Sequence, residues 1–221
     1  MALFAPLGFT PRLVMFDLDG TLVDSAADIA LALNRALGDL ALPAVTEAQV
    51  RDWVGRGASR LVYCVLAHLH RPADLHDALL ARFMARYQAA VCAASTPYAG
   101  ARELLVACRA EGIALACVTN KPYAPARALL EALDMLAPFD LLLGGDSLPH
   151  KKPHPAPLLH CLQHFAVPPA AALMVGDSRN DVEAAQAAGV PVLAVPYGYN
   201  HGEPVADARP DWLVESLSAL L

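Results

Sequence analysis

The chain has 221 residues, with 16 basic and 22 acidic side chains, a formal net charge of −6, and 56 % hydrophobic against 17 % charged content. Ample apolar surface excludes a disordered chain, and the negative balance excludes a nucleic-acid binder that works by bulk attraction to phosphates. No stretch reaches the roughly 18 uninterrupted apolar residues of a membrane-spanning helix, so no membrane partner is expected.

Met1 to Thr10 carries no basic region, and Arg12 follows the apolar part, so this end does not read as a secretory signal. Leu13-Val14-Met15-Phe16 is a short apolar run stopped by Asp17, which predicts a strand buried on both faces. From Ala26 to about Ala94 the pattern is helical. Ile29, Leu33 and Leu37 recur at i+4, and Leu61, Val65, Leu69 and Leu79, Phe83, Tyr87 predict two further helices, with Pro43 and Pro72 as stops. No strand is expected within that block.

After Thr96-Pro97 the chain alternates. Ile113 to Val118, Phe139 to Leu143, Ala172 to Val175 and Val192 to Val195 read as buried strands. Helical stretches lie near 100–110, 123–136, 154–165 and 180–188, with Gly112 and Gly189 at helix ends. This succession predicts an α/β fold, a doubly wound, mostly parallel sheet. The domains read as 10–24 with 95–221 for the α/β core and 25–94 for an inserted helical cap. Ligands of such sheets bind beyond the carboxyl ends of the strands, where the insertion would stand as a lid. Five cysteines (Cys64, Cys92, Cys108, Cys117, Cys161) lack a CxxC pair and are expected as small core residues in a reducing cytoplasm.

The predicted strand ends carry the polar residues. Asp17, Asp19, Gly20 and Thr21 follow the first strand, Thr119, Asn120 and Lys121 the second, Lys152-Pro153-His154-Pro155 the third, and Asp177 to Asp181 the fourth. A carboxylate can attack phosphorus and divide a hydrolysis into two easier steps. Two anions repel, so a hard cation such as Mg2+ must join them, with Asp17 and Asp177 as its natural side-chain ligands. Asp19, from the same loop as Asp17, can protonate the leaving alkoxide and then deprotonate water, which requires it to hold a proton when substrate binds. Thr119, Asn120 and Lys152 can supply fixed donors to the transferred group. Asp181 reads as an outer or metal-water contact, and Lys121 as a surface or substrate-edge residue.

In this order these segments resemble the haloacid dehalogenase-like hydrolase superfamily: Asp17-Leu18-Asp19-Gly20-Thr21, Thr119-Asn120, Lys152-Pro153 and Gly176-Asp177-Ser178-Arg179-Asn180-Asp181. The insertion looks like its C1-type cap on a Rossmann-like core. Within the superfamily the chain is most similar to the phosphoglycolate phosphatase family. That likeness rests on Phe16 to Ser25, Trp53-Val54-Gly55-Arg56-Gly57, Lys151 to Pro155 and Tyr197-Gly198-Tyr199-Asn200.

The resemblance implies a cytoplasmic enzyme for a small phosphorylated metabolite, hydrolysing 2-phosphoglycolate to glycolate and phosphate with Mg2+ through an aspartyl-phosphate. The alternatives are another sugar or nucleotide phosphate, or a β-phosphoglucomutase-like phosphotransferase. Asp17, Asp19 and Lys152 would be catalytic. Asp17, the Asp19 carbonyl and Asp177 would hold the metal, and Lys152, directly before proline, would be the functional lysine rather than Lys151. Thr119 and Asn120 would bind substrate. From the cap, Arg51, Trp53 and Arg56 around Gly55 and Gly57 read either as contacts to the substrate's carboxylate or as an ordinary helix–helix turn with solvated arginines. Asp24 and Ser25 read both as a hinge into the cap and as a helix N-cap pair. His160 and His164 share a helix face at zinc-ligand spacing but lack an HExxH pattern. They are expected, like His150, His154 and His201, to be surface or packed residues.

Overall fold

Strand β1, Leu13–Phe16, is buried along its whole length because both its faces are covered. Its alternate side chains part as a strand requires. Val14 and Phe16 join one apolar cluster with Leu104, Leu105, Leu129 and Leu130, while Leu13 and Met15 join another with Leu158, Cys161, Val182 and Ala185. The first cluster is supplied by α5 (Ala101–Ala110) and α6 (Tyr123–Ala132), the second by α7 (Ala156–Phe165) and α8 (Arg179–Ala188). This computed structural model describes residues 3–221.

Around β1 lies one six-stranded sheet, ordered β5-β4-β1-β6-β7-β8, in which every pairing is parallel. The other strands are β4 (Ala114–Val118), β5 (Leu141–Leu143), β6 (Ala172–Gly176), β7 (Val192–Ala194) and β8 (Trp212–Leu213). The doubly wound α/β fold is therefore as the hydrophobic runs indicate. The helices stop short of the predicted 136 and start later than 154, and β8, only two residues long, has no run of its own to announce it.

Between β1 and β4 the chain leaves the sheet through a two-residue antiparallel ribbon, β2 (Val23–Asp24) against β3 (Thr96–Pro97). The helical cap consists of α1 (Ala26–Gly38), α2 (Glu47–Trp53), α3 (Ala58–His68) and α4 (His76–Ala89). Three of these follow the apolar spacing. The short α2 does not, but a capping box marks its start: Thr46 Oγ1 accepts from Gln49 N–H (3.2 Å) and Gln49 Oε1 from Thr46 N–H (2.8 Å). The cap has its own apolar cluster, including Leu33, Leu37, Val62, Val65, Leu79 and Phe83, and it takes in Tyr199 from the core.

Buried Asp28 ties the two crossings together. Its carboxylate accepts from the N–H groups of Ala93, Ala94 and Ser95 and from Ser95 Oγ, at 2.6–3.1 Å. Cys108, Cys117 and Cys161 are buried as expected, whereas Cys64 and Cys92 are only half-buried. Among the described residues no helix is long and apolar enough to cross a membrane.

Candidate active site

The carboxyl ends of β1, β4 and β6 lie side by side, so the residues just beyond them meet. Asp17 takes its position as β1 ends, its N–H still bonded to Val175 O of β6 (3.0 Å). Its Oδ1 accepts from Leu18 N–H (2.7 Å) and lies 3.0 Å from Lys152 Nζ. The same ammonium donates to Asp181 Oδ1 at 2.6 Å. Asp181 is held from its other side by Ser178 N–H (3.1 Å) and Ser178 Oγ (2.7 Å). Asp177 accepts from Thr21 Oγ1 and from Tyr199 N–H, both at 2.6 Å.

One oxygen from each of Asp17, Asp177 and Asp181 lies within 4.8 Å of the others, and all three residues are buried. Asp181 belongs to this cluster, with one oxygen on Lys152 and the other on Ser178. Burial raises Asp17 to about 7; the Lys152 charge opposes this and the Asp181 charge adds to it. Asp177 is pushed well above the usual carboxylate range, chiefly by burial and then by Asp181 and Asp17. Burial works against the charge of Lys152, but Asp17 and Asp181 outweigh it and hold the ammonium above the ordinary lysine value.

Three clustered carboxylates facing one ammonium suit a hard divalent cation with oxygen ligands. Two glycines make room for the Asp177 carboxylate. A Cβ on Gly20 or Gly198 would stand 2.3 or 2.2 Å from Asp177 Oδ2, and Gly20 has φ +88°.

Beside this cluster Asp17, Asp19, Gly55, Thr119, Asn120 and Lys121 line a cavity of about 50 Å³ under the cap. Thr119 Oγ1 accepts from Lys121 N–H (3.1 Å), which leaves its own O–H to donate into the cavity. Asn120 is arranged otherwise. Its Nδ2 donates to Gly55 O and to Lys152 O, each at 2.9 Å, so the amide fastens the cap to the core instead of presenting its hydrogens to a ligand.

A profile of the family described as "Haloacid dehalogenase-like hydrolase" matches residues 14–195, a span that includes all the aspartates of the site, Thr119, Asn120, Lys121 and Lys152. The chain belongs to that family. Among its relatives is the phosphoglycolate phosphatase of Pseudomonas putida, 44 % identical over 217 residues, covering 97 % of this chain and 80 % of the relative. That of Nitrosococcus oceani is 40 % identical, covering 94 % and 93 %. In structure the chain resembles a predicted phosphoglycolate phosphatase from Haemophilus somnus (TM-score 0.88, 38 % identity, 94 % and 95 % covered). This haloacid dehalogenase-like chain is an enzyme of the phosphoric monoester hydrolase class.

For the hydrolase's cap the sequence reading needs revision. Arg56, a candidate contact to the substrate's carboxylate, is exposed and lines no part of the cavity; the backbone carbonyl of that residue is the group engaged, accepting from Lys151 Nζ at 2.9 Å. Gly55 lines the cavity, and its carbonyl accepts from Asn120. Trp53 stacks obliquely on His68, at 5.3 Å between centroids. Arg51 pairs with Asp24 (2.9 and 3.0 Å). Ser25 caps no helix through its side chain; its hydroxyl donates instead to Asp19 Oδ1.

Lys121 is no surface residue. It is buried, with Nζ 2.8 and 3.0 Å from the two oxygens of Asp19. His160 and His164 are exposed, and the only group of three potential metal ligands among the described residues is the aspartate cluster.

Tyr199 carries a role that no isolated tyrosine announces. Its N–H holds Asp177, while its hydroxyl donates to Asp24 Oδ1 and accepts from Ser25 and Ala26 N–H (3.0 and 3.1 Å), at the very entry to the cap. His201 Nδ1 meets Asp52 O at 2.9 Å.

The raised aspartates give the stability of the metal-free protein a direction with pH. An acid whose folded-state pKa exceeds its unfolded value stabilises the fold fully below the unfolded value, and loses that contribution as pH rises through the folded one. For Asp17 the window runs from the ordinary 3.8 to about 7. Calorimetry in EDTA is expected to show this contribution to Tm lost as pH rises across that window. Added Mg2+ should then raise Tm more at about pH 8 than at about pH 5, because at low pH it competes with bound protons. An equal increment at both pH values would contradict the buried-carboxylate picture.

Proposed function

We propose that this enzyme hydrolyses 2-phosphoglycolate to glycolate and phosphate in the cytoplasm, with Mg2+ and through a phosphorylated Asp17. The observation that carries the reading is the placement of Asp17: buried, 3.0 Å from Lys152, and sharing the cavity wall with Asp19. The names of the relatives support the substrate, and a cavity of about 50 Å³ suits a small leaving portion.

In the first half-reaction an Asp17 oxygen attacks phosphorus and the ester P–O bond breaks, while Asp19 delivers its proton to the departing glycolate oxygen. In the second, Asp19 takes a proton from water, which attacks the aspartyl-phosphate and returns Asp17 with release of phosphate. Lys152 and the Thr119 hydroxyl hold the transferred oxygens. Asn120 positions the cap over them. Asp17, Asp177 and the Asp19 carbonyl would hold Mg2+, with Asp181 close by, and the ion would neutralise charge between nucleophile and phosphate.

The deciding experiment compares kcat/KM over a panel of phosphomonoesters with Mg2+, including sugar and nucleotide phosphates. Release of inorganic phosphate with 2-phosphoglycolate foremost is expected, and loss of turnover in EDTA. A sugar phosphate hydrolysed more efficiently would overturn the substrate. A phosphorylated acceptor in place of free phosphate would make the enzyme a transferase.

A further inference from the structure

Lys121 is a buried cation to which the chemistry above assigns no task. Among the lysines and arginines of the described residues, it alone lines the cavity in front of Asp17. Its ammonium is held from two sides, by both oxygens of Asp19 and by the ring of Tyr87 on α4, whose centroid is 4.5 Å away. Burying an ammonium is costly unless opposite charge meets it. Asp19 meets it here, yet when Asp19 carries the proton for the leaving group it is neutral and no longer balances the ammonium. The ammonium then needs another anion within reach.

Geometry says where that anion would lie. A group bonded to the acid that meets the leaving oxygen is one hydrogen bond farther out, about 5 Å from that oxygen. A carboxylate joined to the ester oxygen through one carbon spans this gap. The side of the wall that the cap supplies is mainly apolar, with Val54, Leu61, Phe83 and Met84, and it brings no second cation to the cavity.

We propose that Lys121 is the specificity-determining residue that reads a carboxylate on the leaving portion of the substrate, which takes the ammonium over from Asp19. The inference rests on the phosphatase reading and narrows its substrates to phosphorylated 2-hydroxy acids. Recognition and catalysis are then joined in one exchange of ion pairs. A substrate without the carboxylate leaves Lys121 on Asp19.

The test compares 2-phosphoglycolate with 2-hydroxyethyl phosphate, in which a hydroxymethyl group replaces the carboxylate, for wild type, Lys121→Met and Lys121→Arg. Wild type is expected to prefer the carboxylate ester. Methionine should shrink that preference about tenfold to a hundredfold, mainly through KM, and arginine should retain most of it. Glycolate, as a competitive inhibitor of 2-hydroxyethyl phosphate hydrolysis, should weaken by a similar factor in the methionine variant.

Equal losses on both esters, or a wild type without preference, would overturn the proposal. Should the methionine variant fail to fold, the arginine variant decides: preference kept supports the assignment, preference lost overturns it. A wild type inactive on every phosphomonoester sinks the phosphatase reading itself, an outcome distinct from an active enzyme whose preference ignores Lys121.

Discussion

Asp17→Asn is expected to lower kcat by at least about a thousandfold while leaving the fold intact. The amide has nearly the shape of the carboxylate, so it fills the same place beneath Leu18 N–H, and Lys152 keeps its 2.6 Å bond to Asp181. What is lost is the oxygen nucleophile. The measurement is single-turnover phosphate release, with a melting curve to show that the variant folds. Substantial turnover would remove Asp17 from the role.

Asp19→Asn separates the two steps. With p-nitrophenyl phosphate the leaving group departs without help from an acid, so phosphorylation of Asp17 should proceed and hydrolysis of the intermediate should stall. The expected trace is a burst approaching one nitrophenolate per chain, followed by slow turnover. A linear trace at the wild-type rate would mean that Asp19 serves neither step.

Lys152→Met is expected to damage both activity and stability. The methionine keeps the length of the stem but leaves Asp17 and Asp181 facing each other without the ammonium that lies 3.0 and 2.6 Å from them. Removing one partner of a buried ion pair typically costs about 3–5 kcal/mol, and loss of a fixed donor to a transferring group about a hundredfold to a thousandfold in kcat. Mg2+ should recover part of the stability, because it supplies positive charge to the same carboxylates, and little of the rate. Thermal melts with and without Mg2+, set beside kcat, check this. A variant as stable as wild type in EDTA would show that these carboxylates do not need the lysine.

The run Leu13-Val14-Met15-Phe16 stopping at Asp17 announces β1 because a strand covered on both faces has no reason to alternate. The same logic finds the other long strands and, with them, the edge where Asp17, Thr119, Lys152 and Asp177 converge. The cap was legible as helices but not as contacts. Arg56 sits in a glycine-flanked turn that brings its backbone, not its guanidinium, to the core. Lys121 looks solvated in sequence, since nothing local shows that Asp19 and Tyr87, distant in the chain, close around it. Ser25 has the composition of an N-cap, yet its oxygen accepts from no helix N–H and its hydroxyl is turned to donate to Asp19. The capping box at Thr46 and Gln49 was readable and would have placed α2.

The cap turn is held by four core side chains, and each grasps a carbonyl: His201 takes Asp52 O, Asn120 and Asn180 share Gly55 O, and Lys151 takes Arg56 O. Carbonyls are common to all residues. The exposed side chains of Asp52 and Arg56 take no part in this fastening, whereas Trp53 packs into the cap on His68 and the glycines carry the positive φ values the turn requires. Such a fastening uncouples closure from the chemistry displayed around it. A change of side chain at Asp52 or Arg56 therefore leaves the lid's attachment to the core unaltered.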